Sequence, residues 1–340
     1  ATTVTADPAA GQYSDPVTLS ATLAADCDYP EGSMEFRVDG VLVGTVPVSG
    51  TGNYSTPYTI TNAPGNYTIT ANFISSNPYF ANSSDTDTLA VSQEDAAVTF
   101  PDTNPFAVKV NSPGGTAGPI TICADITEVE DGSAGDTTFA TAVFTITPVA
   151  GGNSPAPGVV TYSGGGVGAA RRACITLNNV AVDVYDITVT VGGYYQGTNS
   201  TVLAVYDPSL GFVTGGGTVV HNGNVANFGI SVKYLKNGKA QGSVIYMEHN
   251  PDGTVTKVKS NSMQSLSIVN ETAVIIAKAT VNGVGNYGIR VIAVDNGEPG
   301  SSDQFGLTTT APGGANVPDL TFGTTTLQGG NIQVPQNPRN

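Results

Sequence analysis

The sequence predicts an all-β chain of three tandem β-sandwich domains, the first two immunoglobulin-like. Three observations carry that reading. Short runs alternate apolar and polar residues at the period of a half-buried strand. Turns rich in Gly, Pro, Asn and Asp separate the runs. The 340 residues are too many for one ordinary sandwich and enough for three to bury a core each. Only 11% of residues are charged, and a chain so rich in Gly, Thr, Val and Ser reads as β-rich and secreted rather than as a cytosolic enzyme.

In the first domain, 1–93, Met34, Phe36 and Val38 alternate with Glu35, Arg37 and Asp39, and Asp39-Gly40 supplies a hairpin turn. A second alternation puts Tyr67, Ile69, Ala71 and Phe73 on one face. The blocks GSMEFRVDGVLVGTVPV, APGNYTITANFISSNPYFANSS and TDTLAVS, in that order, resemble the bacterial immunoglobulin-like repeats of surface adhesins. The loop bearing Cys27 departs from that pattern.

The second domain, 94–205, repeats the grammar with longer inserts. Ile120–Ile126, Phe139–Ile146 and Val184–Val191 are its strand candidates. Cys123 and Cys174 fall in two strand-like runs here, so a disulfide between facing strands is expected, the alternative being two buried thiols. Cys27 is left over, as a small buried residue or an intermolecular bonding site.

Between the second and third domains lies Tyr206 to Gly217, read as a joint because Asp-Pro followed by close-spaced glycines suits neither a helix nor a long central strand. The third domain, 206–340, shows turns at Asn222-Gly223, Asn237-Gly238, Asp252-Gly253 and Asn282-Gly283. Between them runs an antiparallel meander: Val225–Leu235, Gln241–Glu248, Thr254–Lys259, Ala273–Thr280 and Tyr287–Val294. Its blocks GFVTGGG, ANFGISVKY and GNYGIRVIAVDNGEPGSSDQFGL resemble a domain that closes many secreted multi-domain bacterial proteins. That resemblance implies location and modular context but no activity. Thr324–Gln328 and Asn331–Val334 could each form a last strand, within this domain or on another sheet edge.

Charge is uneven. Residues 1–95 hold eleven acids against Arg37 alone, whereas 206–340 balance eight acids with eight bases. The acidic part repels nucleic-acid phosphates and anionic lipid heads, so neither nucleic acid nor membrane insertion is expected. Divalent cations, other copies of the chain through the six lysines from Lys233 to Lys278, or cell-surface and matrix components fit better. Calcium is the cofactor that acidic turns would take, and the candidates are Asp26, Asp28, Asp131 and Asp136, with Asp295, Glu298 and Asp303; solvated turn acids are the plain alternative.

Catalytic groups are sparse. His221 and His249 are the two histidines, each next to an Asn near a turn, and read as exposed loop residues. Metal-hydrolase, thiol-redox, serine-hydrolase and phosphate-loop patterns are missing from the sequence. Tyr194 and Tyr195, beside a glycine-flanked turn, are candidate sugar-stacking residues. Lys109, in an alternating run, reads as an outward lysine. The function expected is therefore a non-enzymatic extracellular or cell-surface structural or adhesive protein; the alternative is an accessory carbohydrate-binding region of a secreted hydrolase. Each sandwich is expected to share little surface with the next.

Overall fold

The computed structural model describes residues 1–26, 29–149, 153–207, 212–235, 237 and 239–335; Cys27, Asp28 and the Pro208–Gly211 part of the expected joint lie outside them. Eight strands come first: β1 (Thr2–Ala6), β2 (Ala9–Gln12), β3 (Pro16–Ala25), β4 (Glu31–Val38), β5 (Val41–Ser49), β6 (Gly52–Thr59), β7 (Gly65–Ser75) and β8 (Ser83–Ser92). They form a three-stranded sheet, β1-β3-β6, and a five-stranded one, β2-β8-β7-β4-β5. The alternating residues do what their period dictates: Met34, Phe36, Ile69, Ala71 and Phe73 are fully buried, with Leu19 and Leu23 of the other sheet in the same core. Asp39 (φ 46°) and Gly40 (φ 80°) make the left-handed pair that a tight hairpin needs.

The middle strands are β9 (Glu94–Thr99), β10 (Ala107–Lys109), β11 (Ile120–Glu128), β12 (Ala140–Pro148), β13 (Thr161–Gly164), β14 (Arg171–Leu177), β15 (Asp183–Gly193) and β16 (Tyr195–Tyr206). Two layers, β12-β15-β16 and β9-β11-β14-β13, are hinged by a two-residue parallel contact of β16 with β9, Tyr195 opposite Glu94 and Gln196 opposite Asp95. Ile122, Ala124 and Ile126 from one layer and Phe144, Ile187 and Val189 from the other fill the space between. Lys109 is exposed at the end of β10.

Cys123 and Cys174 are bonded, and their place differs from the expectation of facing strands. They sit directly opposite each other on neighbouring strands β11 and β14 of one layer, on the face away from Ile122 and Ala124. Asn104 takes both backbone groups of Cys123, accepting from its N–H at 2.9 Å and donating to its C=O at 2.7 Å. This marks the cysteine pair as a non-hydrogen-bonded pair of the ladder, the kind that brings side chains closest.

The last nine strands are β17 (Phe212–His221), β18 (Asn224–Tyr234), β19 (Ala240–His249), β20 (Val255–Val269), β21 (Thr272–Val281), β22 (Val284–Val294), β23 (Gln304–Thr310), β24 (Asn316–Thr326) and β25 (Gly329–Gln333). They make one antiparallel sheet in the order β24 to β17 and then β25. The sheet folds over on itself, so its two halves supply both layers: Phe228 of β18 stacks on Phe305 of β23 at 4.1 Å, and His221 of β17 on Phe322 of β24 at 4.5 Å.

Gly215, Gly216 and Gly217, expected in a joint, are interior to β17 between β18 and β25. A Cβ on Gly215 would lie 2.6 Å from the Asn331 carbonyl oxygen, and one on Gly217 2.5 Å from that of Gly329. The glycines are there because neighbouring backbone comes too close for a side chain, a use of strand glycine distinct from breaking the strand.

Candidate functional site

Two joints connect the three groups of strands, and the chemistry of the chain concentrates in them. At the first, Gln93 alone separates β8 from β9. Its side-chain amide donates to the backbone oxygens of Gly193 and Tyr195, at 3.1 and 2.8 Å. Tyr13, from the turn after β2, inserts into the middle core with its ring edge-on to Tyr194 (4.9 Å) and Tyr195 (5.8 Å), and its hydroxyl accepts from the Asp136 N–H. Tyr195 is fully buried and donates to Glu128 at 3.0 Å; Tyr194 is partly covered and stacks on Phe139 at 4.6 Å. Tyr195 therefore offers no face to a sugar: a pair adjoining glycines reads as exposed in sequence, but Tyr13 from 182 positions earlier closes over it.

Three carboxylates meet at this joint. Asp15, Glu94 and Asp131 each place one oxygen so that all three lie within 4.8 Å of one another. Asp15 is set by the turn Gln12–Asp15, in which Ser14 takes φ 74° and the Gln12 N–H donates back to Asp15 Oδ2. Glu94 opens β9 and is 1% exposed. One of its oxygens accepts from the Asp95 N–H at 3.1 Å, while Oε2 is buried without a partner. Asp131 is exposed in the loop after β11, shaped by the Ser133 N–H donating to its Oδ1 and by the Val129 N–H donating to the Asp95 oxygen. Burial first, and then the charges of Asp131, Glu128 and Asp15, push the Glu94 carboxyl up to about 7 against the lowering effect of the Asp95 N–H. Burial and the neighbouring Asp131 likewise raise Asp15. Asp131 also borders a cleft of about 420 Å³ shared with Glu128, Glu130 and Gly168.

Of these three, Asp131 alone was among the sequence candidates, and the others lie elsewhere. Asp136 caps the short 3₁₀ turn Thr137–Phe139 by accepting from Thr138 N–H and hydroxyl, bonds that hold it below the usual carboxylate range. Asp26 pairs with the chain's amino terminus in solvent, and Asp28 is outside the described residues. Asp295, Glu298 and Asp303 surround β25 as a clamp. Asp303 accepts from the Asn296 and Ile332 N–H groups, Asp295 from Gly297 and Val334, and Glu298 from the Asn331 and Gln333 side chains. These oxygens already hold donors that tie the last strand to the turn before β23.

At the second joint, β15 and β16 press against the outer face of β18 and β19. Val184, Val202, Ala204, Ile245 and Met247 form an apolar cluster of their own. A Cβ on Gly229 would lie 2.8 Å from the Val184 side chain, and one on Gly216 2.6 Å from the Phe106 backbone oxygen, so β17 and β18 seat directly on the middle strands and the segment before β10. This corrects the expectation of units sharing little surface. Lys257 Nζ reaches both oxygens of buried Asp186, at 3.1 and 3.2 Å, and Lys259 also contacts that carboxylate. Two of the lysines expected to meet other copies are thus used within the chain.

The histidines also differ from expectation. His221 is buried, its Nδ1 3.2 Å from Glu248 Oε2, which also accepts from Tyr246 at 2.7 Å. His249 is half-buried at the second joint, 2.8 Å from Asn227. Each is the last residue of its strand, β17 or β19, still covered by neighbouring elements, so an Asn neighbour says nothing about exposure.

With both joints described, the first eight strands can be compared with a known family. Residues 4–92 match the bacterial Ig-like domain (group 3). The bacterial Ig-like match thus ends two residues before Glu94, so the carboxylate group straddles its boundary: Asp15 inside it, Glu94 and Asp131 outside. Among solved structures the chain is similar to the integrin-binding protein invasin, with 16% identity over 87% of this chain and 57% of that one and a TM-score of 0.36. It is similar also to the Yersinia pseudotuberculosis adhesin InvE, with 11% identity over 80% and 72% and a TM-score of 0.33. A third likeness is to fibronectin(III)-like modules of Clostridium thermocellum CbhA, with 14% identity over 60% and 94% and a TM-score of 0.22. No curated protein sequence matches the chain.

Proposed function

We propose that the chain is a non-enzymatic extracellular structural or adhesive protein, built of three tandem β-sandwich domains at 1–93, 94–205 and 206–340 and used to hold binding surfaces at fixed spacing outside the cell. The observation that carries this reading is the construction of the two joints. A one-residue linker with its side chain spent on the neighbour, an inserted tyrosine and a buried aspartate held by two lysines all resist bending. The bacterial Ig-like match of the first domain supports the surface location. The two histidines support a non-catalytic role, since both are engaged with Glu248 or Asn227 and, among the described residues, neither has a hydroxyl or thiol nucleophile as a hydrogen-bond partner. No helix of the described residues is long and apolar enough to cross a membrane.

Partners on this reading are components of a cell surface or matrix, or further copies of the chain. Antibody labelling of intact source cells tests the location: labelling without permeabilisation is the expected result, and labelling only after lysis overturns it. Light scattering across ionic strength separates the partners, because association between copies would weaken with salt while a strictly monomeric chain points to a foreign surface.

A further inference from the structure

We propose that Asp15, Glu94 and Asp131 bind one calcium ion that locks the first joint. The three residues come from the three parts that meet there: the turn before β3, the first residue after the linker, and the loop after β11. A cation held by all three would tie the two sides together at the point where the backbone connection is a single residue.

The geometry fits. Calcium takes carboxylate oxygens at 2.3–2.6 Å, so oxygens on opposite sides of it stand up to about 5 Å apart. The 4.8 Å limit on the three oxygens here lies inside that diameter. Magnesium, with its shorter bonds of about 2.0–2.1 Å and stricter octahedron, fits the spread less well.

Charge and hydrogen bonding point the same way. Glu94 is 1% exposed and its Oε2 has no partner, a cost that proteins avoid unless something is meant to bind there. Among the described residues no basic side chain pairs with the group. Before residue 206 the basic side chains are Arg37, Lys109, Arg171 and Arg172. Arg37 pairs with Glu35 and Arg172 with Asp125; Arg171 donates to the Thr138 and Ala140 oxygens and lies over the Tyr162 ring; Lys109 is exposed on β10. Three carboxylates so close, one of them buried, repel one another, and a divalent cation from solution offsets that repulsion where a proton would otherwise be taken up. Asp131 stands exposed beside the open cleft and gives the ion its way in.

Terbium, which replaces calcium and emits when excited through nearby tyrosine, reads the site in the full chain, since Tyr195 stands opposite Glu94 in the pairing of β16 with β9, Tyr13 is two residues before Asp15, and the chain has no tryptophan. The expected result is one saturable terbium site, displaced by calcium in the range of about 10⁻⁴–10⁻³ M typical of extracellular modules and at least tenfold less well by magnesium. Glu94→Gln and Asp131→Asn should each weaken it tenfold or more, and Asp295→Asn should leave it unchanged. Asp131→Asn keeps the acceptor for the Ser133 N–H on an exposed loop, so it folds even where the buried change does not. Calcium should also slow amide hydrogen exchange in both 12–15 and 129–135 of the unaltered chain. Failure of terbium to saturate, equal affinity in the Asp131→Asn chain, or loss of the site in Asp295→Asn instead would overturn the assignment. Each of these leaves the surface location, read by antibody labelling, untouched.

Discussion

Asp186 on β15 and Lys257 on β20 meet across the second joint, the ammonium 3.1 and 3.2 Å from the two carboxylate oxygens. Ser200 completes the group by accepting from the same ammonium at 2.9 Å, and Lys259 approaches from the next inward position of β20. Asp186→Ala leaves two ammonium groups facing each other over an apolar cluster. Breaking a fully buried pair costs about 3–5 kcal/mol; here, with the lysine side chains 24% and 29% exposed, about 2–3 kcal/mol is expected. Thermal unfolding of the full chain measures it. Lys257→Met made on top of Asp186→Ala should cost less than the two single effects added, and strict additivity would argue against a direct pairing.

The Cys123–Cys174 bond closes a loop with a sequence separation of 51, for which the chain-entropy relation gives about 4 kcal/mol. Reduction should therefore lower the denaturant midpoint of the strands from β9 to β16. Asn104→Ala should act on the same strands without touching sulfur, because both backbone groups of Cys123 lose their partner, an effect of about 1–3 kcal/mol. Hydrogen exchange at the Cys123 amide, slow in the parent and fast in the variant, would locate the effect.

Strands and turns were legible wherever local pattern decides them. Ile69, Ala71 and Phe73 alternate because a half-buried strand has period two, and Asn222-Gly223 and Asn282-Gly283 occupy left-handed turns because few other residues do so cheaply. For the long β20 the local pattern carries only as far as Lys259. Its continuation, Ser260–Val269, is serine-rich with scattered apolar residues and takes its place from pairing with β21 rather than from its own composition. Gly215–Gly217 misled for a related reason: local propensity says turn, and only the approach of Asn331, Phe106 and Gly329 makes glycine necessary there. The carboxylate group was illegible in principle. Ser92-Gln93-Glu94-Asp95 looks like a solvated linker, and the burial of Glu94 depends on how two groups of strands dock.

Gly216 gives that docking a direct test. A methyl group there would stand 2.6 Å from the Phe106 oxygen and 3.0 Å from its carbon, across the second joint. Gly216→Ala should destabilise by about 1–3 kcal/mol, the usual range for overpacking, and should raise hydrogen exchange in β10 and β16 more than in β23. Gly285→Ala is the comparison, since its added methyl meets nothing within 4 Å and its φ is not left-handed; it should be nearly silent. Equal effects from the two would mean that the joint is looser than its geometry.

The second joint also carries a pH dependence. His249 is held below its ordinary value of 6.5, first by burial and then by the charge of Lys257. The folded chain therefore binds this proton less readily than the unfolded chain does. For a histidine shifted downward, its contribution is fully present above pH 6.5 and is lost as pH falls from there through the lowered folded value. The histidine's contribution to the melting temperature should thus decline between about pH 7 and pH 5, whereas Glu94, raised to about 7, gains stability as it takes up a proton over the same window, so the histidine's share is read as the difference between the parent and a variant without it. His249→Gln, which still donates to Asn227 but carries no charge, should flatten the decline over that window while leaving the melting temperature at pH 8 close to the parent's. A variant whose curve keeps the parent's slope would place the proton uptake elsewhere. The same scan in high salt adds a second check, because the Lys257 contribution is electrostatic and half-buried, so salt should reduce the slope only in part whereas burial of the imidazole persists.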